Sequence, residues 1–134
     1  MNQTHLQLYA DFIVKVGVNV QPRQNFIIRC PVTMPEFAHA CVRAGYEAGA
    51  KRVIVRWEDD KLTRLHMELG DEKDLCTLVP SDLRSYLDFA EDPDGCCTLA
   101  IHAEAPEALA GLDAGKLNRV NLARRNYLKP WQEY

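Results

Sequence analysis

Apolar residues recur at helical spacing in the first stretch of the chain: Leu6, Tyr9, Ile13 and Val16 follow Thr4, a residue suited to cap a helix. Gly17 can supply the left-handed conformation that ends one, so the pattern predicts a helix over residues 4–16. The spacing changes after Pro22. Phe26, Ile27 and Ile28 form the β-branched and aromatic run of a short buried strand. Thr33 and Glu36 then have the spacing of a capping box, with Pro35 tolerated in the first turn of the helix they open. Phe37, Cys41, Gly45 and Ala48 line one face of that helix, and Gly49 closes it before extended structure returns at Arg52–Trp57. Two strands joined by about twenty residues that contain a helix are expected to be parallel, with a right-handed crossover.

Glu58, Asp59 and Asp60 open the next helix, where acidic groups suit the positive end of the backbone dipole, and its apolar face is expected to be Leu62, Leu65 and Leu69. Gly70 ends it. A shorter helical piece around Leu75–Val79 stops at Pro80, and Ser81 or Asp82 caps a helix with Leu83, Tyr86, Leu87 and Ala90 on one side. Asp92-Pro93-Asp94-Gly95 is a turn, Cys96–Ile101 a third strand, and Asp113 the cap of a last helix that carries Leu117, Val120, Arg124 and Leu128 and ends near Pro130. Helices alternating with strands that are apolar on both faces define an α/β class, a three-layer domain with a small, mainly parallel β-sheet flanked by helices. Three strands are few for such a sheet. A fourth edge strand can hide in a segment that reads as loop, at a position the pattern does not give.

At 134 residues and 47% hydrophobic content the chain suits one domain over residues 1–134. No run approaches the eighteen or so apolar residues of a membrane span, and the first fifteen positions lack the basic start and cleavage site of a secretory signal. A cytoplasmic location follows as the expectation. The five cysteines, Cys30, Cys41, Cys76, Cys96 and Cys97, are odd in number and show no C-x-x-C spacing, which fits reduced thiols better than disulfides or structural zinc. Charge is unevenly spread: residues 1–57 hold seven basic and three acidic side chains, residues 58–113 four and fifteen, and the last 21 residues five and one. That acidic centre opposes nucleic-acid binding.

In a parallel sheet, ligands sit beyond the carboxyl ends of the strands, so Cys30–Met34, Glu58–Asp60 and His102–Glu104 are expected to converge on one edge. A dinucleotide site needs glycines after the first strand. Cys30-Pro31-Val32-Thr33-Met34-Pro35 has two prolines and bulky side chains instead, which argues against a phosphate cradle there. Glu58, Asp59, Asp60, His102 and Glu104 are a candidate cluster for a divalent cation, set against the plainer reading of a helix cap and solvated loop residues. No serine or cysteine sits on a glycine-flanked elbow with acid and histidine partners in evident places. Taken alone, the residues carry no recognisable active site.

Three segments do carry a resemblance: YADFIVKVGVNVQPRQNFIIRCPV at 9–32, EAGAKRVIVRWEDDKLTRL at 47–65 and ALAGLDAGKLNRVNLARRNYLKPW at 108–131. Together they resemble the N-terminal domain of the metallo-aminopeptidases that include thermophilic aminopeptidase T and the staphylococcal-type aminopeptidase S. The resemblance implies a longer parent, in which a C-terminal catalytic domain supplies glutamate, histidine, tyrosine and aspartate ligands to a two-metal peptidase centre loaded with zinc, cobalt or manganese. Those motifs have no counterpart here, so no catalytic or metal residue carries over and no cofactor is expected in this chain. The implied partners are the missing catalytic domain, a second copy in a homodimer, and peptide substrates of the parent, with neither nucleic acid nor membrane. Thr33, Glu58, Asp59, Asp60, His102, Glu104 and Trp131 are then expected to form a strand-end or interdomain surface. The rival readings are a free-standing small α/β ligand-binding or regulatory module and a hydrolase whose site the sequence does not reveal.

Overall fold

The computed structural model describes residues 2–102 and 110–132, which form two compact units: 2–58 with 92–102, and 59–91 with 110–132. The first is an α/β unit. Its sheet has strands β1 (Asn25–Pro31), β2 (Arg52–Glu58) and β3 (Cys96–Ala100) in the order β2-β1-β3, all parallel, as the crossover spacing requires. Among the described residues no fourth strand joins them.

Side chains alternate across a strand, and here the alternation separates two faces. Phe26, Ile28 and Cys30 of β1, with Val53 and Val55 of β2 and Cys97 and Leu99 of β3, pack against helices α1 (Gln3–Phe12) and α2 (Pro35–Glu47). Phe26 and Ile28 are fully buried, and each contributes roughly 1.5–3 kcal/mol of hydrophobic stabilisation. Ile27, on the opposite face, is fully buried as well, so the central strand reads as a continuous apolar run. Cys97 lies in the core cluster and its neighbour Cys96 therefore points the other way, with all five thiols free.

α2 buries Phe37, Ala38, Ala40, Cys41, Ala44 and Gly45, the expected face. Its entry differs from expectation. Met34, not Thr33, occupies the cap position and makes no side-chain cap hydrogen bond, because Pro35 takes the first helical position with its fixed φ and no N–H to satisfy. At the far end Gly49, at φ 96°, turns the chain toward β2.

The first helix is also rotated and longer than the sequence pattern indicates. Asn2, not Thr4, caps it through the His5 N–H at 2.9 Å. The helix winds on as a π-helical turn over Ile13–Val18 and ends at Asn19, at φ 58°, rather than at Gly17. Ala10 and Val14 are its fully buried residues, whereas Tyr9 and Val16 face outward. Ala10 allows close approach to α2, and a residue that small adds little to a hydrophobic periodicity.

The second unit is helical: α3 (Asp60–Leu69), α4 (Glu72–Cys76), α5 (Pro80–Ala90), α6 (Ala114–Tyr127) and α7 (Lys129–Gln132). Asp113 caps α6, as read from the sequence, and of the three acidic residues read as opening α3 it is Asp59 that caps it. Pro80 opens α5 instead of stopping a preceding helix, and Asp82 accepts the Val79 N–H at 3.4 Å from inside the first turn. The expected apolar face of α3 is the exposed one. Leu62, Leu65 and Leu69 are uncovered and Met67 is buried, while Lys116 of α6 donates to the Met67 and Gly70 carbonyls at 2.8 and 2.6 Å and closes the helix end. Among the described residues no helix is long and apolar enough to cross a membrane.

Candidate functional site: the carboxyl edge of the sheet

Because all three strands run parallel, Pro31, Glu58 and Ala100 end on one edge of the sheet, and Thr33 and His102 follow two residues beyond their strands. Thr33 and His102 are exposed. Glu58 is held from two directions: its carboxylate lies 3.3 Å from the Arg29 Nε, and its carbonyl accepts the Val32 N–H at 2.9 Å. That second bond fastens the start of the β1–α2 turn to the end of β2. Arg29 interrupts an otherwise apolar strand, a signal for an ion pair that the strand assignment alone did not use.

The glycine-free turn is built around Cys30. Its thiol is buried and directed at the carbonyls of Pro31 at 3.4 Å and Met34 at 3.5 Å. Burial, and then the negative charge of Glu58, push its pKa up from the ordinary thiol value. A thiol held protonated and turned into the backbone is a packing group rather than a nucleophile. The turn thus starts a helix and fills space.

Asp59 and Asp60 belong to the helical unit. The Asp59 carboxylate accepts the Lys61 N–H at 3.0 Å and the Leu62 N–H at 3.4 Å, and Asp60 lies exposed in the first turn of α3. Trp131, also in that unit, packs its ring on Tyr86 at 4.7 Å between centroids and is partly buried, so it already has a partner within the chain. Glu104 and Tyr134 lie outside the described residues.

Asp59 thus caps a helix start and Glu58 pairs with Arg29, and among the described residues no group of three or more His, Cys, Asp or Glu side chains stands where it could hold a metal ion.

A denser polar cluster occupies the other edge of the sheet, where the sequence reading placed only a turn. Asn25 is fully buried at the start of β1, and its side chain donates to the Gly95 carbonyl at 3.2 Å and accepts from Arg52 at 2.9 Å. Lys51 donates to Asp92 and Asp94, and Arg52 approaches Asp92 at 3.6 Å. Asp92 and Asp94 come from the Asp-Pro-Asp-Gly turn, which was the one available signal. The cluster joins the starts of three strands and is structural.

The order of elements, a helix leading into a parallel β-α-β unit with a glycine-free turn, defines an α/β layer. Residues 2–134 match the family described as thermophilic metalloprotease (M29), and the chain belongs to that family. It is 30% identical over 119 residues to Aminopeptidase 2 of Geobacillus stearothermophilus, a match covering 89% of this chain and 28% of that protein. It is 27% identical over 129 residues to Aminopeptidase AmpS of Bacillus subtilis, covering 96% and 31%. The solved structure of wild-type AmpT from Thermus thermophilus superposes with a TM-score of 0.85 at 25% identity, covering 98% of this chain and 32% of that one. The chain thus spans under a third of the length of the curated relatives it matches.

Proposed function

We propose that this chain is the N-terminal, non-catalytic part of a metal-dependent aminopeptidase, and that the longer parent releases residues from peptide N-termini with water activated by zinc, cobalt or manganese. The observation that carries this reading is the superposition on AmpT, which takes in nearly all of this chain and about a third of that one. The curated relatives are aminopeptidases by name, which supports the activity of the parent. In this reading the metal ligands lie in the remainder of the parent, while Asp59 here caps a helix and Glu58 pairs with Arg29.

In this reading the carboxyl edge of the sheet, with Thr33, Glu58 and His102, borders the substrate entrance or the catalytic part. The acidic run Glu58, Asp59 and Asp60 favours the ammonium end of a peptide. The parent is a cytoplasmic homodimer. Neutralising Glu58, Asp59 and Asp60 in the longer gene product is expected to raise KM, and an unchanged KM removes the electrostatic part of the proposal.

The main test assays the purified 134-residue chain and the longer gene product against an aminoacyl-nitroanilide, with zinc, cobalt or manganese added. The longer product is expected to turn over in a metal-dependent way and the short chain to stay silent. Metal-dependent turnover by the short chain alone overturns the reading.

A further inference from the structure

Helix α1 is apolar on two sides. Toward the core it presents Leu6, Ala10, Ile13 and Val14, and outward it shows Leu8, Tyr9, Phe12 and Val16, which are 62%, 52%, 62% and 63% exposed. Leu8, Phe12 and Val16 are four residues apart and form one stripe, with Tyr9 beside it, its ring centroid 5.7 Å from that of Phe37. From Gln3 to Val18 the only formally charged residues are Asp11 and Lys15, and Lys15 is drawn aside to Asp11 at 3.9 Å and Glu47 at 3.2 Å. Gln3, Gln7, Asp11 and Lys15, four residues apart, form one polar stripe with apolar positions on both sides of it, a wider apolar distribution than the single core-facing stripe of an ordinary surface helix. The four outward side chains leave on the order of 400–500 Å² of largely apolar surface, toward the upper end of what a lone soluble protein exposes.

Area decides between two occupants. A stable pair of separate molecules buries about 800 Å² on each partner, roughly twice what this stripe offers. Interfaces between parts of one polypeptide persist with as little as about 600 Å² in total, because the tether supplies the effective concentration. The curated relatives are more than three times the length this chain spans, so their polypeptides hold ample material for such a cover. We propose that the Leu8–Phe12–Val16 face of α1 is the docking surface for the remaining part of a longer polypeptide, met there by an uncharged apolar layer. This rests on the reading of the chain as one part of an aminopeptidase, and places a second contact surface on α1, in addition to the sheet edge.

The test introduces Leu8→Glu with Phe12→Glu into both the 134-residue chain and the longer gene product and follows thermal unfolding. In the short chain the midpoint is expected to move by no more than about 2 °C, since both side chains already face solvent. In the longer product it is expected to fall by about 5 °C or more, and Phe12→Ala, which adds no charge, to give a smaller fall in the same direction. Equal small shifts in the two proteins overturn the proposal, as does a reading frame that closes at Tyr134. A short chain that sediments as a dimer and is split by the double substitution gives the face to a second copy and also overturns it. A longer product without aminopeptidase activity that still shows the differential loss sinks the catalytic reading and leaves the docking surface standing.

Discussion

Lys51 donates to the Asp92 carboxylate at 2.9 Å and so ties the residue before β2 to the turn that leads into β3. The same carboxylate accepts the Asp94 N–H at 2.9 Å and lies 3.6 Å from Arg52. The Asp94 N–H first, then Lys51 and Asn25, hold the Asp92 carboxyl well below the usual carboxylate range. A depressed folded-state pKa gives stability that is fully present above the unfolded value, about 3.9, and is lost as pH falls toward the folded value. Asp92→Asn is therefore expected to unfold at lower urea than the parent chain at pH 7, with the gap closing below about pH 4. A gap that stays constant from pH 7 to pH 3 would contradict the ionic role.

Gly45 sits where α2 crosses the sheet. A Cβ placed there would stand 2.8 Å from the Phe26 ring and 3.0 Å from Val53 Cγ2, and the Phe26 ring is fully buried with nowhere to yield. Alanine gains about 1 kcal/mol of helix propensity over glycine, but overpacking costs about 1–3 kcal/mol, so Gly45→Ala is expected to destabilise on balance. The cause is checked by a double-mutant cycle: Phe26→Leu should cost less in the Gly45→Ala background than in the parent, by about 0.5 kcal/mol or more. Additive losses would place the strain elsewhere.

The same two positions show why the sheet unit was legible. Phe26–Ile28 and the Phe37, Cys41, Gly45 face are large or patterned enough to leave a periodicity, and Gly49 and the Asp-Pro-Asp-Gly turn mark the chain reversals. The errors arose where small or distant residues decide. Ala10 is buried on α1 yet too small to mark a face, and the end of α3 is closed by Lys116, nearly fifty positions away. Leu62, Leu65 and Leu69 have the spacing of a buried face and remain exposed, so helical periodicity identified an apolar face without identifying what covers it. The strand-end residues Thr33, Glu58 and His102 were legible as a group because parallel strands end together. The Arg29–Glu58 pair was not, because a strand pattern does not say which charged side chains are near each other.

Lys116 stands in for a missing helix cap. Gly70 ends α3 in an extended conformation, and the ammonium of Lys116 satisfies the Met67 and Gly70 carbonyls that the helix leaves open. Hydrogen bonds from a charged donor are worth about 1.5–3 kcal/mol, so Lys116→Met, which keeps the stem and removes the donor, is expected to cost about 2 kcal/mol. Hydrogen exchange at the end of α3 should speed up while β1 keeps its protection. Uniform acceleration across both units would instead mean that the whole chain was destabilised.

The thiols give a test of the core that needs no substitution. Burial pushes Cys41 up to about 12, with Cys30 and Asp11 adding to the shift, and Cys30 is raised by burial and by Glu58. Cys97 is pushed up to about 11 by burial and then by Cys96. The thiolate is the reactive form, so raised values slow alkylation at pH 8 beyond what lost access alone would do. Iodoacetamide on the native chain is expected to leave Cys30, Cys41 and Cys97 largely unmodified and to label them within the same interval once urea unfolds the protein, as read by mass spectrometry of the peptides. Rapid native labelling of Cys41 would mean that α2 parts from the sheet on the timescale of the reaction, and that the Phe37, Cys41, Gly45 face is held less firmly than its burial indicates.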